Sequence, residues 1–266
     1  HSLAISTIAE TLRDEPRVSA LFLSGSYGAG LEDDFSDIDF VMVAPDGPTD
    51  EAAALCRKAI DRTGEIVLWW DRQVRPMLIN AITRDWLRID VLILKPGQLG
   101  GQTRDGLKVL FDHDRLYDTL PASSGKTGPD RGRTRYQFEE FIRILGLLPL
   151  AMGREEYLNG VLGVFHLRNL LVDLMIEETA APYRGGALHL NRLITDEQKQ
   201  VLASMPPPVP EREALIEAHL AYAAAYLPRA RRLATLWGVE WPERFEAATW
   251  QRLDRTLAIR PPSGAR

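Results

Sequence analysis

Asp37 and Asp39, in the run Ser36-Asp37-Ile38-Asp39-Phe40, are the residues of this 266-residue chain best placed to do chemistry. Their neighbours Ile38, Phe40, Val41 and Val43 are apolar strand formers. Side chains alternate faces along a strand, so the two acids point the same way, roughly 6–7 Å apart, while Ile38 and Phe40 point into a core. Two carboxylates so placed repel each other unless a cation sits between them. Mg²⁺ suits the place: it is a hard ion that takes oxygen ligands and is usually held by one or two carboxylates plus substrate phosphates. Upstream, a strand-like run ends in Gly25-Ser26, whose backbone N–H groups and hydroxyl suit a phosphate. A third acid, Asp90, is embedded in Arg88-Ile89-Asp90-Val91-Leu92-Ile93-Leu94, where a carboxylate must be paired or belong to a site.

In this order, an apolar strand, Gly-Ser, a spacer, Asp-x-Asp and a later strand acid, the pattern resembles the signature of the DNA polymerase β-type nucleotidyltransferase superfamily. The resemblance covers about the first 120 residues. It implies that Asp37 and Asp39 hold two Mg²⁺ ions. Asp90 would ligate the ion that activates the acceptor and accept the acceptor's proton. Gly25 and Ser26 would contact the donor's phosphates, and Ser36 would either cap the turn or touch the nucleotide. Many relatives carry an Arg shortly after Gly-Ser; here those places hold Tyr27, Gly28 and Ala29. The missing charge is expected from Lys95, Arg104, Lys108 or an Arg of the helical bundle that follows.

The elements that must position these groups read as α+β: a small mixed β-sheet core with helices, followed by an all-α helical bundle. Strands are expected over Val18–Leu23, through the Asp-x-Asp motif, and over Glu65–Trp70, Arg75–Thr83 and Trp86–Leu94. Asp71-Arg72-Gln73 reads as a hairpin turn. Residues 1–120 form the expected catalytic domain, and 121–134, rich in Gly, Pro and Ser, the linker. Within it Gly125-Lys126-Thr127 is not a P-loop, because the required earlier Gly would fall at Leu120. Residues 135–260 form the expected bundle, which serves the acceptor, and 261–266 a tail. A core followed by such a bundle resembles, in architecture, the antibiotic nucleotidyltransferases that modify aminoglycosides and lincosamides.

In the bundle, one long helix is expected from Arg154 to Glu178, with Glu155, Asn159, His166, Asn169 and Asp173 on a single polar stripe. That stripe is either an exposed edge or a wall for the acceptor, with Glu155 or His166 as auxiliary base. Glu139 and Glu140 lie off the apolar face of the preceding helix. They are either acceptor contacts or a solvated face with Glu139 paired to Arg143. Arg168, on the apolar side, needs a partner. The loop Tyr183-Arg184-Gly185-Gly186 has no assigned role.

Composition is ordinary for a globular chain, with 45% apolar and 26% charged residues. The net charge of −5 argues against a broad footprint for duplex nucleic acid. The lone Cys56 excludes an internal disulfide and a cysteine-based zinc site. With no expected membrane span and no signal-peptide pattern, the expected setting is cytoplasmic.

Three functions fit. The first is Mg²⁺-dependent transfer of a nucleoside monophosphate, AMP from ATP, to a hydroxyl of a small molecule such as an antibiotic, with release of pyrophosphate. The second is the same transfer to tRNA or protein, as in toxin-type relatives. The third is a catalytically lapsed, antitoxin-like binding protein. The chain is expected as a monomer or homodimer.

Overall fold

Alternating apolar residues build a mixed six-stranded sheet in the first of two compact units, His1–Lys126 and Thr127–Arg266. The computed structural model describes residues 1–72, 77–123, 130–180 and 189–261. Gly125-Lys126-Thr127, the Tyr183–Gly186 loop and residues 262–266 of the tail lie outside the described residues.

Chain order in the first unit is α1 (Ser2–Arg13), β1 (Ala20–Leu23), α2 (Gly25–Ala29), β2 (Ile38–Val43), α3 (Asp50–Asp61), β3 (Ile66–Arg72), β4 (Met77–Thr83), β5 (Arg88–Leu94) and β6 (Lys108–Asp112). Across the sheet the order is β3-β4-β5-β2-β1-β6. Only β2 and β5 pair parallel; the other neighbours are antiparallel.

The two faces of the sheet differ. Ile38, Phe40 and Met42 of β2 and Ile89, Val91 and Ile93 of β5 face a core that α1 and α3 cover with Ile5, Ile8, Leu12, Ala52, Cys56 and Ile60. The other face carries a smaller cluster of Phe22, Val41, Val43, Leu94, Leu99 and Leu107. By strand alternation, Asp39 and Asp90 belong to that less covered face.

Two turn assignments change. Asp71 and Arg72, expected in the hairpin turn, remain in β3 opposite Ile79 and Leu78. Arg72 lies over the Trp70 ring at 5.6 Å, a packing gain that favours continuing the strand. Trp86, expected in β5, instead occupies the tight β4–β5 turn at φ 61° and is exposed. Its N–H donates to the Thr83 carbonyl, and Thr83 Oγ1 accepts from Leu87 N–H.

The second unit is helical: α4 (Arg131–Leu145), α5 (Leu148–Gly153), α6 (Tyr157–Thr179), α7 (Leu190–Leu193), α8 (Asp196–Ser204), α9 (Arg212–Trp237) and α10 (Glu243–Leu257). Helix α4 starts within the 121–134 stretch because Asp130 caps it, accepting from the Gly132 and Arg133 N–H groups. The Thr195/Gln198 capping box opens α8, and Gly238 ends α9 in the left-handed conformation. Phe141 stacks on Tyr226 with ring centroids 3.7 Å apart, and the Tyr226 hydroxyl donates to the Gln137 carbonyl.

The long helix expected over Arg154–Glu178 is α6, which begins only at Tyr157. Gly153 ends α5, and Glu155 at φ 56° turns the chain before α6 begins at Tyr157. Helix α6 packs against α4, α5 and α9 and buries Leu167, Leu171, Leu174 and Met175. Among the described residues it is the one helix long and apolar enough to cross a membrane by length and composition, although the sequence reading expected none. The reason is that only Arg168 and Asp173 carry a fixed charge between Tyr157 and Ile176.

Candidate active site

The parallel pairing of β2 with β5 sets Asp39 directly beside Asp90, and Asp37 lies two residues before Asp39 on the same face. One carboxylate oxygen from each of the three lies within 4.8 Å of the others. Chain segments far apart in sequence thus deliver three half-buried acids to one point.

Burial is the first cause, and the facing Asp37 and Asp90 the next, of an Asp39 carboxyl pushed up to about 6; Arg88 opposes them. Arg88 Nη2 lies 2.7 Å from Asp37 Oδ2 and 4.0 Å from Asp90. Asn80 on β4, opposite Asp90 in register, donates from Nδ2 to Asp90 Oδ1 at 2.8 Å.

On the other side of Asp39 stands the Gly-Ser turn. Gly25 adopts φ 57°, and a Cβ built there would overlap Asp39 Oδ2, so only glycine lets the turn close on the acid. Ser26 is buried, and its Oγ has no hydrogen-bond partner among the described residues. A buried hydroxyl without a partner costs free energy unless a ligand satisfies it. Ser36 is committed elsewhere: its Oγ accepts from Asp33 N–H and donates to Asp33 Oδ1, holding the turn that leads into Asp37.

The donor set fits a hard divalent cation: three carboxylates converge, and burial together with the two facing acids disfavours ionisation of Asp39. A cation bound there would compete with the Asp39 proton, because ligation needs the ionised form. Without metal, the folded state holds that proton more tightly than the unfolded chain, whose Asp has its ordinary value near 3.8. The stability contributed by this group therefore falls as pH rises through the window from 3.8 to about 6 and stays low above it. The expected result is a Mg²⁺-induced rise in melting temperature that is full at pH 7.5 and fades below about 6. A rise of equal size at pH 5 would show that Asp39 is not a ligand.

The other residues singled out in the sequence divide. Glu140 and His166 come together, with His166 Nε2 3.1 Å from Glu140 Oε1. Arg143 closes on the same carboxylate through Nε and Nη2 at 2.6 and 2.7 Å, and its hydrogen bonds are the largest cause holding Glu140 below the usual carboxylate range. Glu139 pairs with Arg135 at 2.9 Å and not with Arg143, because the arginine one turn later leans toward Glu140. Glu155 sits in the α5–α6 turn and off the α6 stripe. Arg168 donates to the Leu202 carbonyl and the Tyr222 hydroxyl, both at 3.1 Å, a structural role. Of the cations expected to replace the missing Arg, Lys95 lies along Gly47, Arg104 opens a short turn before β6, and Lys108 is the first residue of β6.

Sequence reasoning missed Arg88 and Asn80. Arg88 was legible, since it stands two residues before Asp90 and so shares its face. Asn80 was not, because its place depends on the β4–β5 register.

No curated protein matches the chain. Among solved structures, an aminoglycoside 6-adenyltransferase from Bacillus subtilis is 13% identical, with a TM-score of 0.44 over 94% of this chain and 95% of that one. A nucleotidyltransferase-like protein from Exiguobacterium sibiricum is 13% identical, with a TM-score of 0.35 over 96% and 88%. A terminal uridylyl transferase from Trypanosoma brucei is 14% identical, with a TM-score of 0.27 over 85% and 68%. The family model of the nucleotidyltransferase domain matches residues 5–97, a span that contains Gly25, Ser26 and all three acids. The first unit of this chain therefore carries a nucleotidyltransferase domain.

Proposed function

We propose that this chain transfers AMP from ATP to a hydroxyl of a small-molecule acceptor of the antibiotic type, releasing pyrophosphate. The observation that carries the reading is the convergence of Asp37, Asp39 and Asp90 beside a buried Ser26 hydroxyl that lacks a partner. Asp37, Asp39 and Asp90 would hold Mg²⁺, two ions in the arrangement the superfamily resemblance implies. Bound there, the metal supplies Lewis-acid polarisation of the phosphoryl group and lowers the pKa of the attacking hydroxyl.

The chain's own residues do the rest. Ser26 offers its hydroxyl to a phosphate oxygen, and Gly25 keeps the turn tight against Asp39. Asp90, oriented by Asn80, takes the acceptor's proton. Arg88 bridges Asp37 and Asp90 and supplies the positive charge that the Gly-Ser turn lacks. Positioning and electrostatics are the main catalytic terms in phosphoryl chemistry.

The test is thermal melting of the full chain with ATP, GTP, CTP or UTP, each with and without Mg²⁺. A ligand that binds only the native state raises the melting temperature, by about 2.7 kcal/mol of stabilisation at one hundred times Kd. The expected result is a Mg²⁺-dependent shift that is largest with ATP, followed by pyrophosphate release in a screen of hydroxylated acceptors. If no nucleotide shifts the transition in Mg²⁺, the donor site is wrong.

A further inference from the structure

The helical unit holds a cavity of about 370 Å³ walled by α4, α5, α6 and α9. Its size falls in the range that accommodates small organic ligands. Leu148, Leu150, Ala151 and Leu162 make most of the wall apolar. Of its polar lining residues, Arg143, Arg154, Glu156, Asn159 and His166 are exposed and one is buried. His219 of α9 is 2% exposed and lines the cavity.

The state of that imidazole follows from its partners. Nδ1 lies 2.8 Å from the Leu215 carbonyl, one turn back on the same helix. A carbonyl only accepts, so Nδ1 carries the proton and Nε2 presents a lone pair. Burial lowers the pKa of the ring, which keeps it neutral. Among the described residues Nε2 has no hydrogen-bond partner.

Two glycines on α6 make this arrangement fit. A Cβ at Gly160 would meet Leu215 at 2.7 Å, so glycine there lets α9 approach. A Cβ at Gly163 would stand 3.4 Å from His219 Nε2, so glycine there leaves that edge of the ring uncovered.

The rim selects for no net charge. Arg143 is engaged by Glu140, and Arg154 and Glu156 are of opposite sign. We propose that this cavity is a binding site for an uncharged, largely apolar small molecule that donates one O–H or N–H hydrogen bond to Nε2 of His219. The site lies wholly within the helical unit and does not rest on the nucleotidyl-transfer reading.

The probes are 2-naphthol and 2-methoxynaphthalene, which differ in the donor hydrogen, titrated calorimetrically into the full chain. The naphthol is expected to bind about tenfold more tightly than its methyl ether, the effect of one buried hydrogen bond. Gly163→Leu, which fills the cavity and improves helix propensity, is expected to abolish binding of both probes and to leave the Mg²⁺-ATP melting shift as in wild type. His219→Phe is expected to bring the two probes to equal affinity, with its melting curve reporting that it folds. Should His219→Phe fail to fold, Gly163→Leu still decides. No binding of either probe, equal binding of both by the wild-type chain, or binding that survives Gly163→Leu overturns the proposal.

Discussion

Asp39→Ala is expected to abolish Mg²⁺-dependent nucleotidyl transfer while raising the melting temperature of the metal-free protein. The two effects share a cause. Asp39 is half buried, faces Asp37 and Asp90 and has its carboxyl pushed up to about 6. At neutral pH the metal-free fold thus carries a carboxylate it would rather neutralise, and alanine removes it. The same clustering of charge is what a divalent cation needs, so removal of one ligand costs transition-state stabilisation on the order of 10³-fold or more in rate. Pyrophosphate release and a melt in chelator report the two outcomes. Full turnover in the variant, or a lower melting temperature without metal, would mean that Asp39 is an ordinary structural acid. Asp39→Asn separates charge from shape and should also be inactive.

Gly25→Ala is expected to cost the first unit both stability and activity. Gly25 has φ 57°, and its added Cβ would overlap Asp39 Oδ2 and lie 2.8 Å from Asp39 Cγ. Left-handed strain and overpacking together cost on the order of 2–4 kcal/mol. Relief requires Asp39 to swing away from Asp37 and Asp90, so transfer should fall with stability. Gly30→Ala is the control. Gly30 has φ 68°, but a Cβ there meets nothing within 4 Å. It should cost about 1–2 kcal/mol from the backbone alone and keep its activity. Denaturant unfolding of both variants beside the transfer assay decides; equal behaviour of the two would show that the contact with Asp39 does not matter.

What the sequence disclosed followed from local periodicity. Alternation alone puts Asp37 and Asp39 on one face, and the apolar run around Asp90 marks a strand with one anomalous side chain. The mixed sheet and the helical unit followed from the switch in period along the chain. What stayed hidden depended on contacts between segments. Asn80 reaches Asp90 only through the pairing of β4 with β5. The choice of Arg143 for Glu140 over Glu139 depends on rotamers that also serve His166. The late start of α6 was hidden too, because Arg154, Glu155 and Glu156 read as a first helical turn while Glu155 takes the left-handed conformation. Arg88 could have been found by the rule that found Asp39.

The β2–β5 seam also bears on how the molecule is made. β3, β4 and β5 follow one another as an antiparallel meander, and β1 and β2 pair with each other; both sets join neighbours in sequence. Only the seam between the two sets is parallel, and it joins Asp39 to Asp90 across a long intervening stretch. Closing a long loop costs chain entropy before any contact rewards it. Here the same step also brings three negative charges together. Assembly of the sheet is therefore opposed at one place by both topology and electrostatics, and a nascent chain cannot gather the three acids until β5 has been synthesised. A divalent ion at that seam would act first as a folding partner and only afterwards as a catalyst.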